Sequence, residues 1–202
     1  MPFLYWTAAV LGGYLIGSLN FAIILTKYFL HADVRERGSG NAGTANVARV
    51  FGPWMGAATL VGDVGKTILA MYLGTALLSV NGMCAAAAVC MIGHCFPVFF
   101  GFRGGKGVAV AAGIAVMLDW RLFLILLAVY ALVSILIKKA SVSSLVAAGA
   151  LPFAMLIWGE FAAVEILLAA FSALVIWLMH RGNIKRLLHG EEGKFHFGKR
   201  NE

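Results

Sequence analysis

Long apolar runs separated by short polar segments dominate the chain. Runs 4–25, 122–137 and 161–179 are almost uninterrupted, whereas 54–79, 82–100 and 140–158 are richer in Gly and Ala. A membrane-crossing helix needs about 20 mostly apolar residues, within a range of about 17–25. The run 108–118 is shorter, and crosses only if it is tilted, surrounded by other helices or extended at its ends. The pattern predicts an all-α integral membrane protein with seven transmembrane helices, in one polytopic domain over residues 1–202. It shows no soluble second domain and no internal repeat.

Composition agrees. Hydrophobic residues make up 61% and charged residues 12%, against about 45–50% and 25% in soluble domains. A soluble chain of 202 residues leaves too much of itself exposed to hide that apolar surface. An ordinary soluble enzyme, a disordered chain and a disulfide scaffold are excluded. Cys84, Cys90 and Cys95 share one apolar stretch; an odd set without paired CxxC spacing reads as small buried hydrophobes. The N-terminus lacks a basic n-region and a small-residue cleavage site, so 4–25 reads as a retained span.

The net charge of +7 acquires meaning from its distribution. Lys and Arg accumulate in cytoplasmic loops next to the membrane. With the N-terminus outside and the C-terminus cytoplasmic, the inside segments hold Lys27, Arg35, Arg37 and Arg49, then Arg103 and Lys106, then Lys138 and Lys139. The tail adds Arg181, Lys185, Arg186, Lys194, Lys199 and Arg200, giving fourteen of the sixteen cations. Arg121 lies outside and Lys66 within a span. A five-span count preserves the same sidedness of the large loops. The basic excess is therefore mostly topology, with some attraction to anionic membrane lipid. No basic face with interleaved aromatics exists outside the membrane plane, so no nucleic-acid partner is expected.

Three inside segments are unusual. The first reads Gly38-Ser39-Gly40-Asn41-Ala42-Gly43-Thr44-Ala45-Asn46 and leads to Arg49. The second reads Gly101-Phe102-Arg103-Gly104-Gly105-Lys106-Gly107, and the third is the span exit His180-Arg181-Gly182-Asn183-Ile184-Lys185-Arg186. Glycines let backbone N–H groups converge into an anion-binding nest. A helix start behind the loop adds its positive terminus, and Arg or Lys supplies charge. Either of the first two alone reads as a flexible connector. Two on the same face, with a third polar-basic element nearby, point to phosphate. A P-loop is excluded, because Leu60 and Phe100 occupy the positions where Gly65-Lys66-Thr67 and Gly105-Lys106 would need an earlier glycine.

Other polar residues carry two readings each. Asp63 and Lys66 lie three apart on one helical face, as a structural ion pair or as support for a site. His94 is either packed and hydrogen-bonded or catalytic. His180 has Asn183 one turn later, an arrangement suited to a base beside an amide donor. Ser141, Ser143 and Ser144 either cap a helix or face the site. Nothing has the ligand set for zinc or calcium, so no metal and no cofactor is expected.

The ordered motifs GSGNAGTANVAR, GDVGKT, GHCFPVFFGFRGGKGVA, SVSS and HRGNIKRLLHGEE resemble the acyl-phosphate:glycerol-3-phosphate acyltransferase family of bacterial membranes, the PlsY type. The likeness runs from about residue 12 to 193, nearly the whole chain. It implies a seven-helix enzyme of the bacterial inner membrane with a cytoplasm-facing active site. Such an enzyme transfers an acyl group from acyl-phosphate to the sn-1 hydroxyl of sn-glycerol 3-phosphate. Lysophosphatidic acid and phosphate result, opening phospholipid synthesis without a metal. Site residues implied are Ser39, Asn41, Asn46 and Arg49 of the first motif, and His94, Arg103, Gly104, Gly105, Lys106 and Gly107 of the second. Ser141 and Ser144 follow, then His180, Asn183 and Arg186. Two departures stand out: Ala42-Gly43-Thr44-Ala45-Asn46 replaces the family's Pro-Gly-Ala-Thr-Asn, and Arg103 replaces a commoner Lys.

Residue chemistry and resemblance converge. A mixed anhydride carries its own leaving group, so no enzyme nucleophile is needed, and the chain has neither a Ser-His-Asp set nor HxxxxD after His94. Positioning can supply about 7–11 kcal/mol of barrier reduction, with fixed N–H and cationic groups stabilising developing charge. His180, Asn183, Ser39 and Lys106 are the expected catalytic group, with Arg49 gripping phosphate. A phosphoester transporter is the main rival, but transporters usually show repeated halves. A lipid-binding scaffold would not need this density of polar groups.

Overall fold

A computed structural model describes residues 2–193. The expected cations Lys194, Lys199 and Arg200 lie outside that range. The described chain is helical throughout, without strands. Helices α1 (Pro2–Gly17) and α2 (Phe21–Ile24), a π turn (Leu25–Phe29) and α3 (Thr44–Phe51) lead into the long α4 (Pro53–Cys95). After a loop follow α5 (Val108–Leu118), α6 (Trp120–Ile137), α7 (Ala140–Trp158), α8 (Ala163–Met179) and α9 (Arg181–Leu188).

Among the described residues, four helical stretches are long and apolar enough to cross a membrane, and five if α8 and α9, bent by 58° at His180, count as one. Helix α4 is two helices in one hydrogen-bonded run. It departs from helical geometry at Leu78 (φ −147°) and Ser79 (φ 52°). A Cβ on Gly74 would strike the Gly82 carbonyl, and one on Gly82 would strike that of Gly74. In a straight helix those residues stand about 12 Å apart. The arms, 53–77 and 80–95, therefore fold back as a hairpin, as expected for 54–79 and 82–100.

Helix α1 lies against both arms. Its Gly13-xxx-Gly17 stripe meets Ala86 and Cys90 of the second arm, while Gly12 touches Leu73 of the first. In hydrocarbon, helices associate by packing rather than by the hydrophobic effect, so small residues that admit a neighbour's backbone are the adhesive. Cys84, Cys90 and Cys95 are buried and free, within this core. The short α5 is 11 residues long, about 16 Å by its rise, and buries Ala109, Val110, Ala111, Gly113, Ile114 and Ala115. Gly113 abuts Thr67 and Val64 of the first arm.

Three boundaries differ from the sequence expectation. The run 4–25 is not one helix: α1 stops at Gly17, and Asn20 restarts the chain by accepting from the Ile23 amide (3.1 Å). The run 82–100 is α-helical only to Cys95, with a 3₁₀ turn over Val98–Phe100, because the residue before Pro97 is driven out of the α region, and Phe96 adopts φ −128°, ψ 67°. The glycine-containing exit 181–188 is a helix, not a loop.

The break after α1 is filled by a buried cluster. Lys66 Nζ lies 2.7 Å from Asp63 Oδ1 and donates to the Leu19 carbonyl (2.8 Å). It is also 3.0 Å from His94 Nδ1, and the Phe21 amide donates to Asp63 Oδ1 (3.3 Å). The broken backbone, both arms of α4 and His94 are thus joined through one ion pair.

Two stability predictions follow from this packing. Gly17→Val drives a branched side chain into the Cys90 backbone and should abolish the folded protein, while Gly65→Ala, with nothing within 4 Å of the added methyl, should be neutral or stabilise by up to about 1 kcal/mol. Thermal unfolding in detergent reads both. Removing one ionic partner, as in Asp63→Ala, should cost about 3–5 kcal/mol. The paired replacement Asp63→Leu with Lys66→Met should cost less; equal losses would show that the charges are not the reason.

Candidate functional site

The loops converge at one end of the bundle around a cavity of about 690 Å³. Ser39, Asn41, Asn46 and Arg49 contribute from the first segment, Lys106 and Gly107 from the second, and Ser141 and Ser144 from α7. His180, Asn183 and Arg186 complete the polar wall. His94 and Asp63 also reach it, so the buried ion pair serves the site wall as well as the fold.

Lys106, Asn183, Glu192 and Arg186 form a chain. The Lys106 ammonium donates to Asn183 Oδ1, Asn183 Nδ2 donates to Glu192 Oε1 (2.7 Å) and Arg186 Nε to Glu192 Oε2 (2.7 Å). Burial pushes Lys106 down to about 8, with the charges of Arg186 and Arg49 adding to the effect against that of Glu192. Burial opposes ionisation of Glu192 too, yet hydrogen bonds from Asn183, Ser141 and Arg186 hold its carboxyl below the usual range. The wall thus keeps three cations, Arg49, Lys106 and Arg186, near the Glu192 carboxylate.

His180 occupies the 58° bend between α8 and α9 and is 3% exposed. Its Nδ1 faces the Ile176 carbonyl at 2.8 Å. A carbonyl only accepts, so Nδ1 carries the proton and Nε2 keeps a lone pair. Burial, then the Lys106 charge, pushes the imidazole down to about 4. It is neutral at physiological pH, an acceptor beside a cation.

The glycine segments do less direct binding than expected. In the second, the Gly104 and Gly105 amides donate to the Cys95 and His94 carbonyls (both 3.1 Å), satisfying the open end of α4. They pack so closely that a Cβ on Gly104 would strike the His94 carbonyl, and one on Gly105 its ring. Gly107 needs its left-handed φ of 85° to start α5. Arg103 is not in this cavity. It lines a separate one of about 410 Å³ with Lys27 and Arg35. In the first segment, Asn46 is 1% exposed and shapes the loop: its Oδ1 accepts from the Ser39 amide, and its Nδ2 faces the carbonyls of Val34, Arg37 and Asn41. Beyond it, the amides of Thr44 and Ala45 at the start of α3 have no acceptor among the described residues.

The cavity has a second, apolar part. Phe123, Leu126 and Leu127 of α6 and Ala147, Ala148 and Leu151 of α7 continue it away from the cations. Sequence reading missed this groove, because its residues look like any lipid-facing stripe. It also missed Glu192, although the motif containing it was in view.

A cavity lined by three cations from the polar segments and by aliphatic side chains of α6 and α7 fits a molecule with a phosphate head and a hydrocarbon tail. The sequence profile of the family described as glycerol-3-phosphate acyltransferase matches residues 7–190. A glycerol-3-phosphate acyltransferase of Maricaulis maris is 40% identical over 195 residues, 96% of this chain and 89% of that one. One of Carboxydothermus hydrogenoformans is 37% identical over 186 residues, covering 92% and 94%. Among solved structures, the crystal structure of PlsY, an integral membrane glycerol 3-phosphate acyltransferase, superposes in its glycerol 3-phosphate form with a TM-score of 0.88. That pair is 28% identical and covers 95% of this chain and 96% of the other; the lysophosphatidic acid form gives 0.85 at 29% identity. The cationic, two-ended cavity thus sits in a chain that belongs to the glycerol-3-phosphate acyltransferase family, an integral membrane enzyme with the PlsY fold.

Proposed function

We propose that the protein transfers a fatty acyl group from acyl-phosphate to the sn-1 hydroxyl of glycerol 3-phosphate, releasing lysophosphatidic acid and phosphate. The observation that carries this reading is the single cavity joining a three-cation wall to an apolar groove. Both proposed substrates carry phosphate, and one carries an alkyl chain.

The substrate hydroxyl oxygen attacks the acyl carbonyl carbon, and the bond from that carbon to the phosphate oxygen breaks with its electron pair leaving on phosphate. Arg49, Lys106 and Ser39 grip phosphate oxygens, and Asn183 and Arg186, braced by Glu192, hold the other side. His180 Nε2 accepts a hydrogen bond from the attacking hydroxyl and aims it. The neutral imidazole, whose conjugate acid has a pKa pushed down to about 4, is a weaker proton acceptor than a phosphate with a pKa of about 6. The departing phosphate therefore takes the proton. No side chain need form an acyl intermediate.

Seven spans, an outside N-terminus and a cytoplasmic site complete the proposal. Support comes from the α4 hairpin, from the length of α5 set among other helices, and from the loop cations gathered at the cavity end. Arg121 stands apart, paired with Asp119 (2.6 Å) and over the Trp158 ring (4.7 Å to its centroid). With this sidedness the enzyme works at the inner face of a bacterial plasma membrane.

Purified protein given acyl-phosphate and glycerol 3-phosphate should release phosphate and form lysophosphatidic acid, and should not use acyl-CoA or acyl carrier protein directly. No turnover with acyl-phosphate would reject the reading. Lys106→Ala and Arg49→Ala should each lower kcat by about 10²–10³ while folding normally. Lys106 is charged below about pH 8, so kcat/KM should fall as pH rises through 8. Lys106→Arg, slower because its geometry differs, should lose that alkaline limb. Since His180 stays neutral down to about pH 4, no limb is expected near 6.5.

A further inference from the structure

Arg103 belongs to the second glycine motif yet stands outside the cationic cavity. It lines the separate cavity of about 410 Å³, where the π turn, residues 33–36 and the second loop meet. Two of the charged side chains there are occupied with the fold. Arg35 donates to both oxygens of Asp33 (2.7–3.2 Å), to the Phe100 carbonyl (2.7 Å) and to the Arg103 carbonyl (3.3 Å), pinning 33–36 to the second loop. Lys27, Glu36 and Arg103 remain. All three are exposed, and their side chains make no hydrogen bond or ion pair among the described residues. One recess thus holds two cations and a carboxylate that the fold does not use.

The surroundings are those of a membrane boundary. Lys27 stands two residues past the first apolar run and is followed by Tyr28 (62% exposed) and Phe29 (70%). Phe99 lines the cavity at 54% exposure, and Phe102 precedes Arg103 at 57%. Exposed aromatic rings beside long cationic side chains mark the headgroup layer of a bilayer. We propose that this second cavity is a lipid site for a zwitterionic phospholipid with a primary ammonium, phosphatidylethanolamine in kind. Its phosphate lies against Lys27 and Arg103, its ammonium against Glu36, and its chains run past the Phe99 rim into the bilayer. A free anion would leave the aromatic rim unused and face the Glu36 charge, and an anionic lipid would face that charge too. A phosphate next to a primary ammonium satisfies all three side chains through charge-assisted hydrogen bonds. The braces of this cavity reach both loops of the cationic one. The Val34 and Arg37 carbonyls hold Asn46, and Arg35 holds the loop that continues to Lys106. A seated lipid therefore ties both loops to the membrane surface. The inference is independent of the acyltransferase reading.

Delipidated full-length protein in detergent, titrated with phosphatidylethanolamine, phosphatidylglycerol or phosphatidylcholine of identical short chains and followed by its melting temperature, tests the site. Phosphatidylethanolamine should raise the melting temperature and bind about ten-fold more tightly than the other two, since neither of those can donate an N–H to Glu36. Glu36→Ala should remove that preference while melting like the wild type without lipid. Lys27→Gln and Arg103→Gln should each weaken phosphatidylethanolamine binding by about ten-fold. Should Arg103→Gln not accumulate, Lys27→Gln and Glu36→Ala carry the test. Tighter binding of phosphatidylglycerol, or equal binding of phosphatidylcholine, overturns the assignment of the headgroup. Inorganic phosphate that displaces the lipid and raises the melting temperature as much as the lipid does would show a site for free anions, and overturns the proposal. Unchanged phosphatidylethanolamine affinity in the three variants removes the site altogether.

Discussion

Hydrocarbon has no hydrogen bonds to offer, and this constraint shapes the whole molecule. Every N–H and C=O within the membrane must be satisfied internally, so irregular backbone survives only where protein or a polar cavity surrounds it. A break of this kind lies at Ser18–Asn20, and the Lys66 ammonium on the Leu19 carbonyl and the Asp63 carboxylate on the Phe21 amide fill it. That ion pair also fixes His94, whose carbonyl and ring form the surface on which Gly104 and Gly105 lie. The loop carrying Lys106 is therefore positioned by a cluster in the core. Lysine placement and core packing are one problem with one solution.

Much of this was legible in the sequence because the signals are physical and redundant. Apolar length gave the runs that become α6 and α7 almost to the residue. Charge asymmetry identified the end at which the loops meet. The three polar segments do converge, and Ser39, Lys106, His180 and Asn183 share one wall.

What sequence reading could not supply was the division of labour among backbone groups. Glycine density suggested anion nests, but the Gly104 and Gly105 amides close the end of α4 instead, because a helix terminus left open in this setting costs more than a nest gains. Asn46 lines the cavity and also braces the loop, a second role carried by four hydrogen bonds rather than by residue type. Arg103 follows a left-handed Phe102 (φ 58°) and belongs to a different cavity from its neighbour Lys106. The helical stop at Gly17 escaped notice because hydropathy runs on through it.

The apolar groove connects the chemistry to the membrane. Helix α6 is the least enclosed of the long helices, with only Leu122 fully buried, and packs chiefly on α7, with Leu122, Phe123 and Leu126 in the shared core. Those two helices form the groove wall, so under the proposed function the donor's hydrocarbon tail lies beside lipid while its phosphate head meets Lys106 and Arg49. Entry from the bilayer leaves the tail in an apolar medium throughout, and so little of the hydrophobic cost of about 0.8 kcal/mol per CH₂ is incurred. A small charged acceptor must instead come from water, and the loops at the cation end provide that side. One cavity with two kinds of wall lets reactants of opposite solubility meet without either crossing the other's medium.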